Sequence, residues 1–281
     1  MPSCGYVLCC MERTGSNLLA RALSGTGLAG RPVEFFNPSE QDKPWMRDIL
    51  GDSNMVEGLP KILSAGTTPN GRFGAKIHWG HFKYLGMNIT GESDDSLRTA
   101  GYELLRSRLP ELLSQQAASD LLRPRFSDLS LQRAAYALLR SMVPDLRVIW
   151  LRRQNMVARA ISLFRARQTG VWYKALSKSD IVPQRNECNF DFAEIHILYC
   201  LGGFQEDLLR QFLQETEIVP HRVVYEELVA DYEATVRRTL EFLDIKGEQT
   251  SIPPASSLKQ SDALSEEWEE RYRELSTEAG L

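Results

Sequence analysis

The amino-acid sequence predicts an α/β fold in which helices cover both faces of a central parallel sheet, giving three αβα layers. Short apolar runs alternate with longer stretches of helical periodicity along the chain. That alternation is typical of parallel strands joined by helices. The runs GYVLCC (5–10) and LRVIWL (146–151) are almost continuously apolar, which indicates strands that are buried on both faces.

The predicted elements follow this alternation in chain order. Short runs rich in Val, Ile and aromatic residues predict strands, and stretches with an apolar residue every three or four positions predict helices. The strands are 5–10, 33–36, 73–77, 146–151 and 221–226, and the helices are 16–24, 155–167, 192–215 and 232–243. Pro69, Asn70 and Gly71 predict a turn before the third strand.

Two segments extend this core within a predicted single domain, residues 1–281. The segment at about 85–145 is too long for one helical crossover, so we predict an inserted group of helices there. The C-terminal segment, about 250–281, begins with a loop rich in Pro and Ser. It ends in a helix that carries Trp268 and Tyr272 at helical spacing, which predicts that one helix face packs on the body.

The composition excludes several classes of protein. The formal net charge of -4 lacks the basic excess of a general nucleic-acid-binding protein. The five cysteines show no spacing typical of a disulfide framework or a zinc site, and the four histidines show no ligand cluster, so no metal is expected. No targeting pattern and no apolar run of membrane-spanning length is present in the sequence. We therefore expect a cytoplasmic protein without a membrane anchor.

The segment CMERTGSN (10–17) joins the first predicted strand to the first helix. Free backbone N–H groups and the helix dipole make such a turn a ready anion site. Arg13, Gly15 and the hydroxyls of Thr14 and Ser16 suit a phosphate or phosphosulfate group. The segment has neither the Gly and Lys of a Walker A loop nor a GxGxxG pattern. A plain strand-to-helix turn with a surface arginine is the alternative.

A second basic segment follows the strand 146–151. Arg153 stands at the strand end, and Ser162 lies nine residues later on the predicted helix 155–167. A planar guanidinium and a hydroxyl suit a phosphate monoester. The alternative is a helix with a solvated basic face, which is the commoner role of charge runs.

These segments resemble one enzyme family. ERTGSN (12–17) is similar to the PKSGTT loop of sulfotransferases that use 3′-phosphoadenosine 5′-phosphosulfate (PAPS), with Arg13 in the place of the lysine. Three further segments resemble the bacterial trehalose 2-sulfotransferase group: GLAGRPVEFFNP (27–38), LFRARQTGVW (163–172) and LKQSDALSEEWEERYR (258–273). The resemblance covers nearly the whole chain except about 85–145, and it implies the P-loop-like sulfotransferase fold.

The resemblance also implies how a sulfuryl donor is held. PAPS would be the donor, 3′,5′-adenosine bisphosphate (PAP) the product, and no metal would be required. The implied binding residues are Arg13, Thr14, Gly15, Ser16 and Asn17 at the 5′ end, and Arg153 and Ser162 at the 3′-phosphate. Lys259 stands where the family has arginine, so its contact with the 3′-phosphate or the adenine is a weaker match.

Four residues are implied to be catalytic. Arg13 would stabilise the leaving phosphate and the developing charge, and Lys76 would support the transferring group near the acceptor. Glu34 matches the general base of the trehalose-type members, a role that a carboxylate can fill if burial raises its pKa. His78, in GAKIHW, resembles the histidine base of animal cytosolic sulfotransferases and is the alternative.

The implied reaction is sulfuryl transfer to a hydroxyl, or to a nitrogen, of a small polar molecule such as a sugar or natural product. A homodimer is implied by analogy with the family. Phe35, Phe36, Trp79 and Trp172 would form either an aromatic wall of the acceptor pocket or part of the core. Two other functions remain open: a nucleotide-dependent small-molecule kinase, although the Walker lysine is missing, and a non-catalytic adenine-nucleotide binder.

Overall fold

A computed structural model describes residues 1–91, 100–108, 114–172, 188–246, 250–255 and 262–281. Its strands are β1 (Cys4–Cys10), β2 (Arg72–His78), β3 (Leu146–Arg152) and β4 (His221–Val224). They form one parallel sheet in the order β2-β1-β3-β4. The α/β fold class predicted from the sequence is confirmed.

Helices connect and cover these strands. In the described residues they are α1 (Ser16–Gly25), α2 (Pro44–Leu50), α3 (Leu59–Ala65), α4 (Trp79–Thr90), α5 (Tyr102–Ser107), α6 (Gln115–Phe126), α7 (Ser130–Met142), α8 (Met156–Thr169), α9 (Phe192–Glu215), α10 (Tyr225–Ala230), α11 (Tyr232–Phe242) and α12 (Ala263–Glu278). The four main helices predicted from periodicity are therefore present. The described residues of the segment at about 85–145 are mostly helical, from the end of α4 to α7.

The chain forms two compact units. Unit 1 comprises Met1–Asp94, Asp128–Arg152 and Leu209–Ala255, and unit 2 comprises Asp95–Ser127, Arg153–Leu208 and Ser256–Leu281. The whole sheet belongs to unit 1. The predicted single domain, with its insertion and C-terminal segment, stays a prediction.

The core of unit 1 forms around β1, whose residues from Gly5 to Cys10 are all buried. Alternate side chains of the strand share a face, and Tyr6, Leu8 and Cys10 pack there with apolar residues of α1 and α11. Burying one large apolar side chain contributes about 1.5–3 kcal/mol, so this face anchors both helices. The end of β1 and the start of α1 are thereby held in place.

The predicted strand at 33–36 is wrong. Val33 makes an isolated bridge to Ala75, and the chain turns at Phe35 and Phe36, both of which are buried. Prolines on both sides of the run remove backbone donors, which disfavours a longer ladder. The apolar character of this segment reflects core packing rather than sheet pairing.

The predicted strand at 221–226 is too long. β4 ends at Val224, and α10 begins at Tyr225. Glu226 and Glu227 lie in the first turn of α10, where carboxylates interact favourably with the positive end of the helix dipole. The apolar run therefore spans the junction of a strand and a helix.

Unit 2 has its own core between α8, α9 and α12. Trp268 and Tyr272 of α12 are buried in it, as the helical spacing predicted, together with Ile161 and Phe164 of α8. The side chain of Asn155 caps α8 by accepting the Ala158 N–H at 2.9 Å. Such an N-cap stabilises a helix by about 1 kcal/mol.

Candidate active site

The turn between β1 and α1 has a left-handed backbone at two positions. Arg13 has a φ of 65° and Gly15 a φ of 81°. This region is accessible to glycine but uncommon for other residues. Gly15 is the N-cap of α1 and supplies no side-chain cap. The first N–H groups of a helix have no partner within the helix, so this turn keeps donors that an anion can use.

Tight packing holds this turn. A Cβ atom at Gly15 would lie 2.4 Å from Cδ2 of Tyr225, so no larger residue fits without a shift. The buried Thr14 donates its hydroxyl hydrogen to the Met11 carbonyl at 2.9 Å. That hydroxyl, predicted to bind the donor, therefore also fixes the turn. Ser16 is buried at the start of α1.

The turn is linked by side chains to Glu34. Lys76, on β2, is buried and donates through Nζ to Oδ1 of Asn17 in the first turn of α1. The same Nζ lies 2.6 Å from Oε1 of Glu34. Asn37 donates through Nδ2 to the other carboxylate oxygen at 2.7 Å. Asn17, Lys76 and Glu34 thus form a continuous chain of polar contacts.

The electrostatics of Glu34 differ from the expectation. Burial by itself raises the pKa of this carboxyl, but His78 and Lys76 together lower it to about 2. The condition stated for a carboxylate base, a pKa raised by burial, is therefore not met in the protein without ligands. The physical reason is that nearby cations outweigh the loss of solvation. Glu34 is ionised at neutral pH.

His78 ends β2 beside this carboxylate. Its Nε2 lies 3.9 Å from Oε1 of Glu34. Burial lowers the pKa of His78, but Cys10, Glu34 and Glu12 raise it to about 9. A histidine that is protonated at neutral pH has no lone pair with which to accept a proton. Between the two candidate bases, this favours Glu34.

A residue that the sequence analysis did not single out, His81, completes the cluster. Its ring centroid lies 5.0 Å from that of His78. Burial and the neighbouring His78 lower the pKa of His81 to about 3. One ligand atom from each of Glu34, His78 and His81 lies within 4.8 Å of the others. The spacing H-x-x-H across the start of α4 is the sequence signal that could have identified it.

Comparison with known proteins assigns the chain to a family. A family model described as Stf0 sulphotransferase matches residues 5–275. The chain belongs to the Stf0 sulfotransferase family. It is therefore an enzyme of the transferase class, as the resemblance implied.

Two curated relatives match this chain over almost its full length. A trehalose 2-sulfotransferase of Mycolicibacterium smegmatis is 29% identical, with 98% of this chain and 97% of the relative covered. A trehalose 2-sulfotransferase of Mycobacterium tuberculosis is 26% identical at the same coverages of 98% and 97%. The recognition of the family from short motifs is confirmed.

The remaining predicted site residues of this sulfotransferase follow β3 or belong to the C-terminal segment. β1 and β3 pair in parallel, with Cys10 opposite Leu151, so both strands end at the same edge of the sheet. Arg153 follows β3 directly and Ser162 lies on α8, both half-buried and both in unit 2. Lys259 lies outside the described residues. The shared role of these three residues stays a prediction.

The four aromatic residues considered for the acceptor pocket fall into two groups. Phe35, Phe36 and Trp79 are at most 2% exposed, which places them in the core, whereas Trp172 is 44% exposed. Only Trp172 among them presents a large surface to solvent. Among the described residues, the helices that are long enough to cross a bilayer lack the apolar stretch that this would need.

Proposed function

We propose that this enzyme transfers a sulfuryl group from PAPS to a hydroxyl of a small polar acceptor. The observation that carries the proposal is the polar chain from Asn17 through Lys76 to Glu34. It joins an anion-binding turn to an ionised carboxylate, the two parts that a group transfer to a hydroxyl requires. The names of the relatives make trehalose, or another polyhydroxylated sugar, the first acceptor to test; a nitrogen acceptor is the second.

The turn after β1 would hold the 5′ end of the donor. PAPS, when bound, supplies an already activated sulfuryl group, so the protein's task is positioning and charge stabilisation. Arg13 and the N–H groups of residues 14–17 stabilise the negative charge that gathers on the leaving phosphate. The left-handed backbone at Arg13 and Gly15 supports this, because such turns direct successive N–H groups to one point.

Lys76 would couple the donor to the base. An ammonium has three N–H donors, and Asn17 and Glu34 account for two of them in the described residues. The third can contact the transferring group. A bound anion beside Lys76 partly neutralises the ammonium charge that lowers the pKa of Glu34. The pKa of that carboxyl therefore rises toward its ordinary value. Glu34 then accepts the proton that the acceptor hydroxyl loses as its oxygen attacks.

A second anion site would bind the 3′-phosphate of the donor. The proposed partners are Arg153, Ser162 and, in the C-terminal segment, Lys259, with Arg153 supplying a planar guanidinium. We also propose that the enzyme is a homodimer and that it is cytoplasmic, as expected from the family resemblance.

The proposal is tested by thermal unfolding with PAP, ATP and 5′-AMP at equal concentration. A ligand at about 100 times its Kd stabilises the native state by about 2.7 kcal/mol, which is a shift of several degrees. We expect the shift with PAP to exceed both others, and the excess over 5′-AMP to disappear in Arg153→Ala. Equal or ATP-favoured stabilisation would favour the kinase instead. Sulfuryl transfer to trehalose is then assayed directly.

A further inference from the structure

We propose that Glu34, His78 and His81 form a binding site for a divalent transition-metal ion such as Zn²⁺, and that the ion inhibits transfer by occupying Glu34. The inhibition, though not the binding, rests on the proposed role of Glu34 as the base. The three side chains come from the turn before α2, the end of β2 and the first turn of α4. Imidazole nitrogen and carboxylate oxygen are ordinary ligands of Zn²⁺, and two His with one Glu make a three-ligand set that leaves a fourth position open.

The distances suit an ion after a small adjustment. Ligand atoms bound to tetrahedral Zn²⁺ at about 2.0–2.1 Å lie about 3.4 Å from one another. In this structure the ligand atoms of the three residues lie within 4.8 Å of one another, and Nε2 of His78 is 3.9 Å from Oε1 of Glu34. Side-chain rotations that move each ligand atom by about 1 Å or less therefore bring the three atoms to the separations that Zn²⁺ requires.

Two ring nitrogens at this place have no hydrogen-bond partner among the described residues. Nε2 of His78 and Nδ1 of His81 are buried and lack a hydrogen bond within the described part of the chain. Such an atom normally costs about 1–3 kcal/mol, and a metal would relieve both costs.

Lys76 sets a limit on the affinity. Its ammonium lies 2.6 Å from the same carboxylate, so an added dication is repelled by it. The carboxylate has about four lone-pair positions, which allows it to contact both cations. The ion must also displace the proton that His78 carries at neutral pH, and that proton is released to solvent. We expect reversible binding at micromolar concentration, and the bound ion would block the carboxylate of Glu34 and lower its basicity toward the acceptor proton.

Titration with Co²⁺ tests the site, because tetrahedral Co²⁺ has absorption bands in the visible range. Wild-type protein should bind one Co²⁺ with the spectrum of nitrogen and oxygen ligands, and Zn²⁺ should displace it. His81→Gln should weaken binding at least tenfold, whereas His221→Gln, which alters a histidine stacked on Phe242, should not. No binding, or a thiolate-to-cobalt band that persists in His81→Gln, would overturn the site in favour of cysteine ligands.

Two further measurements separate the parts of the proposal. If His81→Gln does not fold, loss of Co²⁺ binding in Glu34→Gln takes its place, and retention there overturns the site. In the transfer assay, Zn²⁺ should inhibit wild type and His221→Gln at the concentration that displaces Co²⁺ and should spare His81→Gln. Saturating Zn²⁺ without inhibition would uphold the site and overturn the inhibitory role together with Glu34 as the base.

Discussion

Glu34 in unit 1 and Asp262 in unit 2 are both carboxylates whose pKa lies below the ordinary range, and their surroundings differ. Arg165 donates to Asp262 at 2.5 and 3.0 Å and holds its pKa down. Asp262 also caps α12 by accepting the Ser265 N–H at 3.0 Å. Within the described residues, Arg165 also donates to Oγ of Ser265, and neither Asp262 nor Arg165 has a buried side-chain atom without a hydrogen bond. Around Glu34, by contrast, one ring nitrogen each of His78 and His81 is buried without a hydrogen bond to any residue that the structure describes.

The difference separates an ion pair with fully used hydrogen bonds from one that lies beside unused polar atoms. The contact between Asp262 and Arg165 joins α8 to α12, and its geometry is complete without any ligand. The cluster around Glu34 carries more hydrogen-bonding capacity than its own residues use, which in a folded protein calls for an explanation. A low pKa is common to both carboxylates, so only the unused polar atoms beside Glu34 support its proposed catalytic role.

The largest expected effect comes from Glu34→Gln. Loss of a general base lowers turnover by about 100-fold or more, while the Kd of PAP should stay within a few-fold of wild type. Because the pKa of Glu34 is about 2, kcat/KM of wild type should be flat from pH 5 to 8. Retained turnover in Glu34→Gln, combined with its loss in His78→Ala and a rise of kcat/KM through pH 9, would identify His78 as the base.

The next largest effect is on the pH dependence of stability. The pKa of His78 is raised to about 9, so protonated His78 contributes fully to the free energy of unfolding below about pH 6.5. As the pH rises from there through 9, up to about 3 kcal/mol of that free energy is lost. The pKa of His81 is lowered to about 3, so stability is also lost below about 6.5. The free energy of unfolding should peak near pH 6.5.

Denaturant unfolding at several pH values measures this peak. Glu34, Lys76, Glu12 and Cys10 face the histidine pair, and none of these groups is altered in the test variants. His78→Gln should remove the decline on the alkaline side, and His81→Gln the decline on the acid side. An unchanged profile in both variants would contradict the assigned pKa directions.

Gly15→Ala should have a smaller but specific effect. The substitution strains a φ of 81° and places Cβ against Tyr225, which together cost about 2–3 kcal/mol. Gly27→Ala is the matched control, because Gly27 has a φ of 70° with nothing within 4 Å of the new Cβ. It should cost about 1 kcal/mol from strain alone. Equal losses in thermal unfolding would show that Tyr225 does not constrain the turn.

The smallest effect is expected in unit 2. Asp262→Ala removes an N-cap worth about 1 kcal/mol and an ion pair that is 42% exposed on the carboxylate side, worth at most about 1 kcal/mol more. Asp231→Ala removes the N-cap of α11 and serves as the reference. The difference in unfolding free energy between the two variants isolates the Arg165 contact. A difference near zero would mean that solvent screens it fully.

Local sequence pattern predicted much of this fold. Continuous apolar runs identified β1 and β3, and helical periodicity located α9 at its observed bounds. The same reasoning failed at 33–36 and beyond Val224, because an apolar run does not state whether its residues pair in a sheet or pack in a turn. The tertiary environment decides between these outcomes.

The candidate site divides in the same way. The sequence by itself determined the family, the turn with Arg13 and Gly15, and the candidate base Glu34, because these depend on residue type and order along the chain. Only the tertiary structure decided that Lys76 links Asn17 to Glu34, that the pKa of Glu34 is lowered, and that His81 joins the cluster. Coulomb and hydrogen-bond energies depend on distances and burial, and those are set when β2, α1 and the turn before α2 pack together.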